Sequence, residues 1–280
     1  MFRFGLLLAA TTFLLWGTGF EAEGAEPVRP KRVLLLGQGP DGHPWSTHEY
    51  LSGLRMLATV LGRVDGVQTV VVKADGAWIE GPELLDGADA AVLFLAEGAK
   101  WMQADRSRLA AFERLAERGG GIAVIHWAMG TREAGPIPAF VALAGGCHGG
   151  PDRKYKVVTV TPRVAAKDHP IVAGVESGEV NDEFYYRLKF PKNAENHTPL
   201  LTVRIDDEDH PVAWAWQRPD GGRAFGFSGA HSHRNWSHEA YRRLVAQGVL
   251  WTAGMVIPEE GIDVRIDDRI LVLPPKPITN

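Results

Sequence analysis

The sequence has one cysteine in 280 residues, Cys147, which excludes a disulfide within the chain. An exported protein of this composition must therefore gain its stability from core packing. Lysine and arginine (30) are slightly outnumbered by aspartate and glutamate (34), and no basic block is present, so nucleic acid is not an expected partner. Beyond residue 30 no apolar run approaches the ~20 residues that a membrane span needs.

The first segment has the layout of a secretory signal peptide. Arg3 supplies a positive start, the stretch from Gly5 to Phe20 is apolar, and Ala22 and Gly24 put small residues where a cleavage site needs them. We expect residues 1–24 to be removed, with cleavage after Gly24, and the protein to be periplasmic or secreted. A membrane anchor is the alternative, but the apolar run is short for a full span.

The first half of the remaining chain alternates strand and helix patterns. Four short apolar runs are typical of buried parallel strands: Arg32–Gly37, Val67–Val72, Ala88–Leu95 and Ile122–Ile125. Helical spacing covers His48–Leu61, where Thr47 is the candidate cap, and a second helix is expected from a cap at Asp105 to Glu117. This alternation predicts an α/β fold with a mostly parallel, doubly wound sheet.

The second half reads as an antiparallel extension of that sheet. Four strands are expected, with a hairpin turn at Asp220–Gly222 between the last two: Tyr155–Thr161, Leu200–Ile205, Pro211–Gln217 and Arg223–Ser228. A helix over Glu239–Trp251 should pack back on the sheet. Residues 31–256 are therefore predicted to form one domain, and residues 257–280 a tail with one further strand at Arg269–Leu273.

Several of the ten histidines follow predicted strands. His126 ends the fourth strand, and His148 lies between two glycine pairs, where the backbone turns sharply or approaches a ligand. In open α/β sheets, ligands bind just beyond the carboxyl ends of the parallel strands. We predict catalytic roles for His126 and His148, with half-buried structural histidines as the alternative. His43 is a candidate substrate contact, and whether His43 and His48 join the site is left open.

A divalent metal ion is a candidate cofactor. His231 and His233 form an H-x-H motif after the last predicted strand, and they would point to the same side of an extended chain. Neutral imidazoles in that arrangement suit a metal ion. We predict His126, His231 and His233 as its ligands, with a polar surface loop as the alternative for the motif.

One acidic segment stands beside aromatic residues. Asp182 and Glu183 precede Phe184, Tyr185 and Tyr186, and a carboxylate packed on aromatic surface has a raised pKa, which suits a general acid or base. We predict that role for Glu183. Trp127, Tyr185 and Trp236 are candidates to stack on a sugar ring, while most other tryptophans are expected in the core.

These residues carry a resemblance to a known family. The chain resembles the ThuA-like (trehalose utilisation) family, whose fold is that of class I glutamine amidotransferases. The matching stretches span roughly residues 31–255: VLLLGQGPDGHPWSTH, GGGIAVIHWAMG, GGCHGGP, NDEFYYRLKF, GRAFGFSGAHSHRNW and EAYRRLVAQGVLWTAG. The amidotransferases carry a cysteine nucleophile after the fourth strand. Here that neighbourhood holds His126, Trp127 and Met129, so glutaminase activity is not expected.

The resemblance implies a carbohydrate-related role and a small-molecule carbohydrate as the partner. Two interpretations follow: an exported enzyme that acts on a sugar or keto-sugar by metal-assisted proton transfer or hydrolysis, or a non-catalytic carbohydrate-binding module. Nucleophilic hydrolysis by Cys147 is a third, although burial as a small apolar residue suits that position better. The sequence does not choose between a monomer and a homodimer.

Overall fold

The structure is a computed structural model that describes residues 29–192 and 195–276. The predicted signal peptide, residues 1–24, lies outside these described residues. Within them, no helix combines the length and the apolar character needed to cross a membrane.

An eight-stranded sheet forms the centre of the molecule, in the order β2-β1-β3-β4-β12-β11-β10-β8. The first five strands in this order pair in parallel, and the last three continue the sheet in antiparallel fashion. The strands of this sheet are β1 (Lys31–Gly37), β2 (Val67–Lys73), β3 (Ala90–Phe94), β4 (Gly121–Ile125), β8 (Arg163–Val164), β10 (His197–Ile205), β11 (Glu208–Gln217) and β12 (Arg223–Phe227). The mostly parallel sheet with an antiparallel extension is confirmed.

Two small sheets lie outside the large one. Strands β5 (Gly130–Thr131) and β6 (His148–Gly149) pair in parallel, and β7 (Lys154–Val160) pairs with β9 (Val180–Tyr186) as an antiparallel ribbon. The ribbon corresponds to the strand predicted at Tyr155–Thr161 and to the acidic-aromatic segment that follows it.

Helices cover both faces of the large sheet. They are α1 (Tyr50–Leu61), α2 (Gly81–Asp86), α3 (Gly98–Gln103), α4 (Arg106–Glu117), α5 (Ile137–Ala144) and α6 (Glu239–Thr252). Alternate residues of β1 face opposite cores: Val33 and Leu35 pack with α1 and α6, whereas Leu34 and Leu36 pack with α2 to α5. This is the doubly wound arrangement, in which strands buried on both faces need continuous apolar runs.

One helix boundary and one predicted strand differ from the structure. Helix α1 begins at Tyr50 rather than His48, because His48 adopts a left-handed φ of 53° that a right-handed helix excludes. The strand predicted at Arg269–Leu273 is wrong: Asp268–Leu271 form a short 3-10 helix, and the Asp267 side chain accepts a hydrogen bond from the Arg269 backbone N–H at its start. The Asp105 cap is confirmed, since its side chain accepts from the Arg108 N–H.

Candidate metal centre and active site

Three histidine side chains meet at the carboxyl ends of the parallel strands. The Nε2 atom of His126, the Nε2 atom of His48 and the Nδ1 atom of His231 lie 3.1 Å apart in each of the three pairs. We call these residues the histidine cluster. Three nitrogens this close together can bond one ion at the ~2.0–2.1 Å typical of zinc–imidazole bonds.

Unusual backbone conformations bring the cluster together. His126 follows β4 with a left-handed φ of 49°, and His48 follows β1 after its loop with a φ of 53°. His231 comes directly after Ala230, whose φ is 71°. Non-glycine residues rarely adopt this region, and such strain concentrates at functional sites. An isolated bridge between Thr47 and Ser232 joins the two loops and sets His48 beside His231.

Hydrogen bonds on the far side of two rings decide where their protons lie. His126 Nδ1 is 2.8 Å from the carbonyl oxygen of Ser228, which only accepts, so Nδ1 carries the proton. His48 Nδ1 is 2.8 Å from Asp41 Oδ2 and donates to that carboxylate in the same way. In the neutral state, the Nε2 atoms of both histidines therefore carry no proton, and their lone pairs face each other.

All three histidines are held in the neutral form. Burial lowers the pKa of His48, lowers that of His126 well below its ordinary value, and lowers that of His231 to about 4. The neighbouring histidines act in the same direction on His126 and His231, because a second positive charge nearby is unfavourable. Neutral imidazole is also the form that binds metal ions.

The Asp41 carboxylate orients one side of the cluster. It accepts from the Tyr50 hydroxyl at 2.6 Å, from His48 Nδ1 at 2.8 Å and from His43 Nδ1 at 2.8 Å. Burial alone would raise the pKa of Asp41, but these hydrogen bonds outweigh it and hold that pKa below its ordinary range. His43 stacks on the ring of His48 with 3.7 Å between centroids, so it supports the cluster from outside.

The Asp182 carboxylate fixes the loop that carries His231. It accepts from the backbone N–H groups of Ala230 at 2.7 Å and Ser232 at 3.3 Å, and from the Tyr241 hydroxyl at 3.1 Å. Burial raises the pKa of Asp182 to about 6 despite these hydrogen bonds. Because the two N–H groups flank His231, this buried carboxylate holds the strained turn in place.

Glu183 lies beside the cluster, as a general acid or base must. Its Oε1 atom is 3.7 Å from His231 Nδ1 and 3.9 Å from His126 Nε2, and its side chain is 14% exposed. Burial raises the pKa of Glu183 to about 7, with a contribution from the neighbouring Asp182 charge. A partly exposed carboxyl group beside the cluster can exchange a proton with a bound molecule.

Tyr185 lies between two histidine rings. Its ring stacks on His126 at 4.5 Å and on His148 at 3.9 Å between centroids, and its hydroxyl lies 3.0 Å from His126 Nε2. Burial lowers the pKa of His148 to about 3, and Arg153 acts in the same direction. Trp127 meets both Tyr185 and His148 edge to face, at 5.8 and 5.7 Å. His148 thus joins the site as the outer layer of an aromatic stack.

Two predicted positions need correction. His233 belongs to neither group of potential metal ligands within the described residues; His48 takes that place. The H-x-H prediction required an extended chain through both histidines, but His233 begins a 3-10 helix. Trp236 is 1% exposed and packs against Phe94, so it cannot stack on a sugar.

Burial changes the roles expected of two further aromatic residues. Trp127 and Tyr185 are only 5% and 3% exposed, so neither offers an open face to a sugar ring. The Tyr185 hydroxyl instead points at the histidine cluster.

Cys147 is buried, and burial raises the pKa of its thiol to about 12, which disfavours the thiolate that a nucleophile needs.

The sequence analysis missed the supporting residues of the loop after β1. Asp41 and Tyr50 were not proposed, and His48 was left undecided. A detectable signal was present, because the loop sequence PDGHPWSTHEY places an aspartate, two histidines and a tyrosine within a few residues of a strand end. No spacing rule, however, predicts the positive φ that turns His48 inward.

Comparisons with known proteins agree with this fold. The family model described as ThuA, trehalose utilisation, matches residues 38–252, so the chain belongs to that family. This membership indicates a carbohydrate-related role. Among proteins of curated function, none matches the chain.

Two solved structures show the same fold at low sequence identity. A ThuA-like protein from Parabacteroides merdae aligns with a TM-score of 0.60 and 16% identity, covering 85% of this chain and 98% of that one. A ThuA-like protein from Bacteroides uniformis aligns with a TM-score of 0.58 and 18% identity, covering 84% and 95%. PurLQS from Thermotoga maritima aligns with a TM-score of 0.46 and 14% identity, covering 80% and 97%.

Proposed function

We propose that this protein is an exported, metal-dependent enzyme that acts on a sugar or an oxidised sugar. His48, His126 and His231 hold a divalent transition-metal ion, and Glu183 transfers protons beside it. The reaction class is proton transfer at a keto-sugar or hydrolysis. The family membership supports the carbohydrate substrate, and the histidine cluster supports the metal.

One observation carries the metal proposal. The Nε2 lone pairs of His48 and His126 face each other at 3.1 Å, and each ring has already committed its N–H elsewhere. Two opposed lone pairs repel unless a cation or a hydrogen-bond donor satisfies them. In the metal-free state, the Nδ1–H of His231 and the Tyr185 hydroxyl can serve as such donors. Burial disfavours a protonated ring, whereas a metal ion bonded to all three nitrogens would satisfy them together.

The donor set indicates the kind of ion. Imidazole nitrogens suit zinc, copper, iron and nickel, whereas magnesium and calcium prefer oxygen. Three protein ligands with an open position are typical of catalytic rather than structural zinc sites. The outer hydrogen bonds to Asp41 and the Ser228 carbonyl are the supports that metal-binding histidines usually have.

The chain's own groups then have defined tasks. When bound, the metal supplies a Lewis acid for a carbonyl, a hydroxyl or a water molecule. Glu183 accepts or donates the proton at Oε1, because this carboxylate lies within 4 Å of both His126 Nε2 and His231 Nδ1. When His126 Nε2 bonds the metal, the Tyr185 hydroxyl beside it is free to donate to a bound substrate, while His148 and Trp127 exclude water from that side.

Elemental analysis of the purified full chain tests this proposal. We expect about one equivalent of transition metal per chain, and its loss in His126→Ala and in His48→Ala. His233→Ala is the matched control, because His233 lies in the same loop as His231 but outside the cluster; it should retain the metal. Conversion of trehalose and of its oxidised derivatives, followed by NMR, should require Glu183.

The control variants separate the alternatives. A wild-type protein that carries no metal after incubation with zinc, iron, nickel or copper salts contradicts the metal proposal. Sugar binding without any turnover would instead support the non-catalytic carbohydrate-binding module. Full activity in Glu183→Gln would remove the proton-transfer role from this residue.

A further inference from the structure

The β7–β9 ribbon has one face that continues outward from the active site. Directly opposed residues of an antiparallel pair lie on the same face. The register therefore puts Tyr155 opposite Tyr185 and Val157 opposite Glu183. Since Tyr185 and Glu183 both reach the histidine cluster, their partners on β7 lie on the same face, next to the site.

The two faces of the ribbon are buried differently. On the inner face, Phe184 is fully buried and Val158 packs against the main core. On the outer face, Tyr155 is 57% exposed and Val157 is 58% exposed. The outer face is thus covered by histidine rings at its Tyr185 end and open at its β7 edge.

The geometry points to a sugar-binding platform formed by Tyr155 and Val157. We propose that a hexopyranose ring of the substrate packs its apolar C–H face on the Tyr155 ring and contacts Val157. Its hydroxyl groups would then reach Glu183. The identity of the occupant rests on the proposed carbohydrate function; the platform itself follows from the register and the exposure.

Three observations favour this position. Small-molecule sites combine aromatic and apolar side chains with a few polar groups, and Tyr155 and Val157 lie on the same face of the ribbon as Glu183. The Tyr155 ring lies at the edge of the aromatic stack, 6.4 Å from the His148 ring and 6.5 Å from the Tyr185 ring. The two other aromatic residues that pack on His148, Trp127 and Tyr185, have no open face.

Sugar binding to variants of the full chain tests the platform. Trehalose and glucose serve as probes, and binding to the metal-loaded protein is followed by saturation-transfer NMR and titration. An aromatic contact of this kind corresponds to a loss of affinity of roughly three- to tenfold in Tyr155→Ala. Tyr155→Phe should retain wild-type affinity, because it keeps the ring. Tyr155→Ala should also raise KM with little change in kcat, since stacking binds the ground state and the transition state alike.

The controls use the other exposed apolar residues. Ile79→Thr, in the loop before α2, should leave binding unchanged. Trp45→Ala tests the competing surface, a groove of about 430 Å³ that Trp45 lines together with Leu51 and Pro274. Loss of affinity in Trp45→Ala with none in Tyr155→Ala would overturn the platform, as would wild-type protein that binds neither sugar.

Failure of the platform and failure of the proposed function give different results. If Tyr155→Ala binds sugar normally while His126→Ala still abolishes metal binding and turnover, only the platform is wrong. If the wild type binds sugar through Tyr155 but holds no metal and converts nothing, the platform stands and the enzyme proposal falls.

Discussion

The two edges of the parallel sheet each carry a cluster of polar side chains beside an open groove. At the carboxyl edge, Asp41, His43 and one member of the histidine cluster, His48, border a groove of about 430 Å³. At the amino edge, a groove of about 550 Å³ is lined by Arg29, Asp89, Arg118 and other residues around the glycine turn before β4. By size and charge alone, the amino edge would be the stronger candidate for a site.

The difference lies in how the charged groups are satisfied. At the amino edge, Arg29 bonds both oxygens of Asp89 at 2.7 and 2.9 Å, and Arg118 donates to the carbonyls of Leu85 and Ala88. Arg223 donates to the Trp251 carbonyl at 3.0 Å. Each of these cations already has an acceptor within the described residues.

At the carboxyl edge the hydrogen bonds leave a conflict. The Nδ1 atoms of His48 and His126 donate hydrogen bonds to Asp41 and to the Ser228 carbonyl, yet the Nε2 lone pairs of the two rings face each other. Buried lone pairs of this kind need a hydrogen-bond donor or a cation as a partner. We therefore expect the metal at the edge where three imidazole nitrogens converge rather than at the edge with the larger groove, and the predictions below test this expectation.

Removing the metal should produce the largest effect. A ligand at a hundredfold excess over its Kd stabilises the folded state by ~2.7 kcal/mol, which for a domain of this size corresponds to a Tm shift of about 5–10 °C. We therefore expect a chelator to lower the Tm of the wild type by this amount in differential scanning calorimetry. Restoring the metal should restore the Tm.

The amino edge provides the control for that measurement. Asp89→Asn changes a residue far from the histidine cluster, and its Tm should still fall with chelator by the wild-type amount. His126→Ala should show no chelator-dependent shift. An equal chelator effect in His126→Ala would contradict the assignment of the metal to the cluster.

Much of the carboxyl edge could be predicted from the sequence because strand ends are easy to locate. An apolar run that stops at His126 places that residue at the edge of the sheet, and the segment after β12 does the same for His231. The fold follows from the same patterns, since continuous apolar strands require cover on both faces.

The rest of the site depends on features that no local pattern contains. The left-handed φ of His48 turns its ring inward, and the 3-10 helix beginning at His233 removes that residue from the cluster. Burial of Trp236 against Phe94 likewise results from packing between distant segments. Sequence spacing predicts where a residue lies along an element, whereas these outcomes depend on tertiary contacts.

The support of the cluster should show an intermediate effect. Asp41→Asn weakens the acceptor for His48 Nδ1, and loss of such an outer hydrogen bond typically lowers metal affinity roughly 10- to 100-fold. Competition with a chelating indicator would measure this change. Asp75→Asn is the matched control, because Asp75 accepts from the Gly39 N–H in the same region but contacts no histidine. Equal affinities of the two variants would show that Asp41 has no part in holding the metal.

The ion pair at the amino edge should have the smallest effect. Burial alone would raise the pKa of Asp89, but hydrogen bonds from Arg29 and from the Arg32 N–H outweigh it and hold that pKa below its ordinary value. An aspartate whose pKa is lowered by folding contributes stability above its unfolded pKa of ~3.9, and this contribution disappears as the pH falls through the folded pKa. Because Arg29 is exposed, we expect Asp89→Asn to lower the Tm by only about 1–3 °C at pH 7. The difference from wild type should shrink in calorimetry as the pH falls below the unfolded pKa, since the Asp89 carboxylate is then progressively neutralised. A difference that stayed constant across this range would mean that Asp89 acts through packing rather than charge.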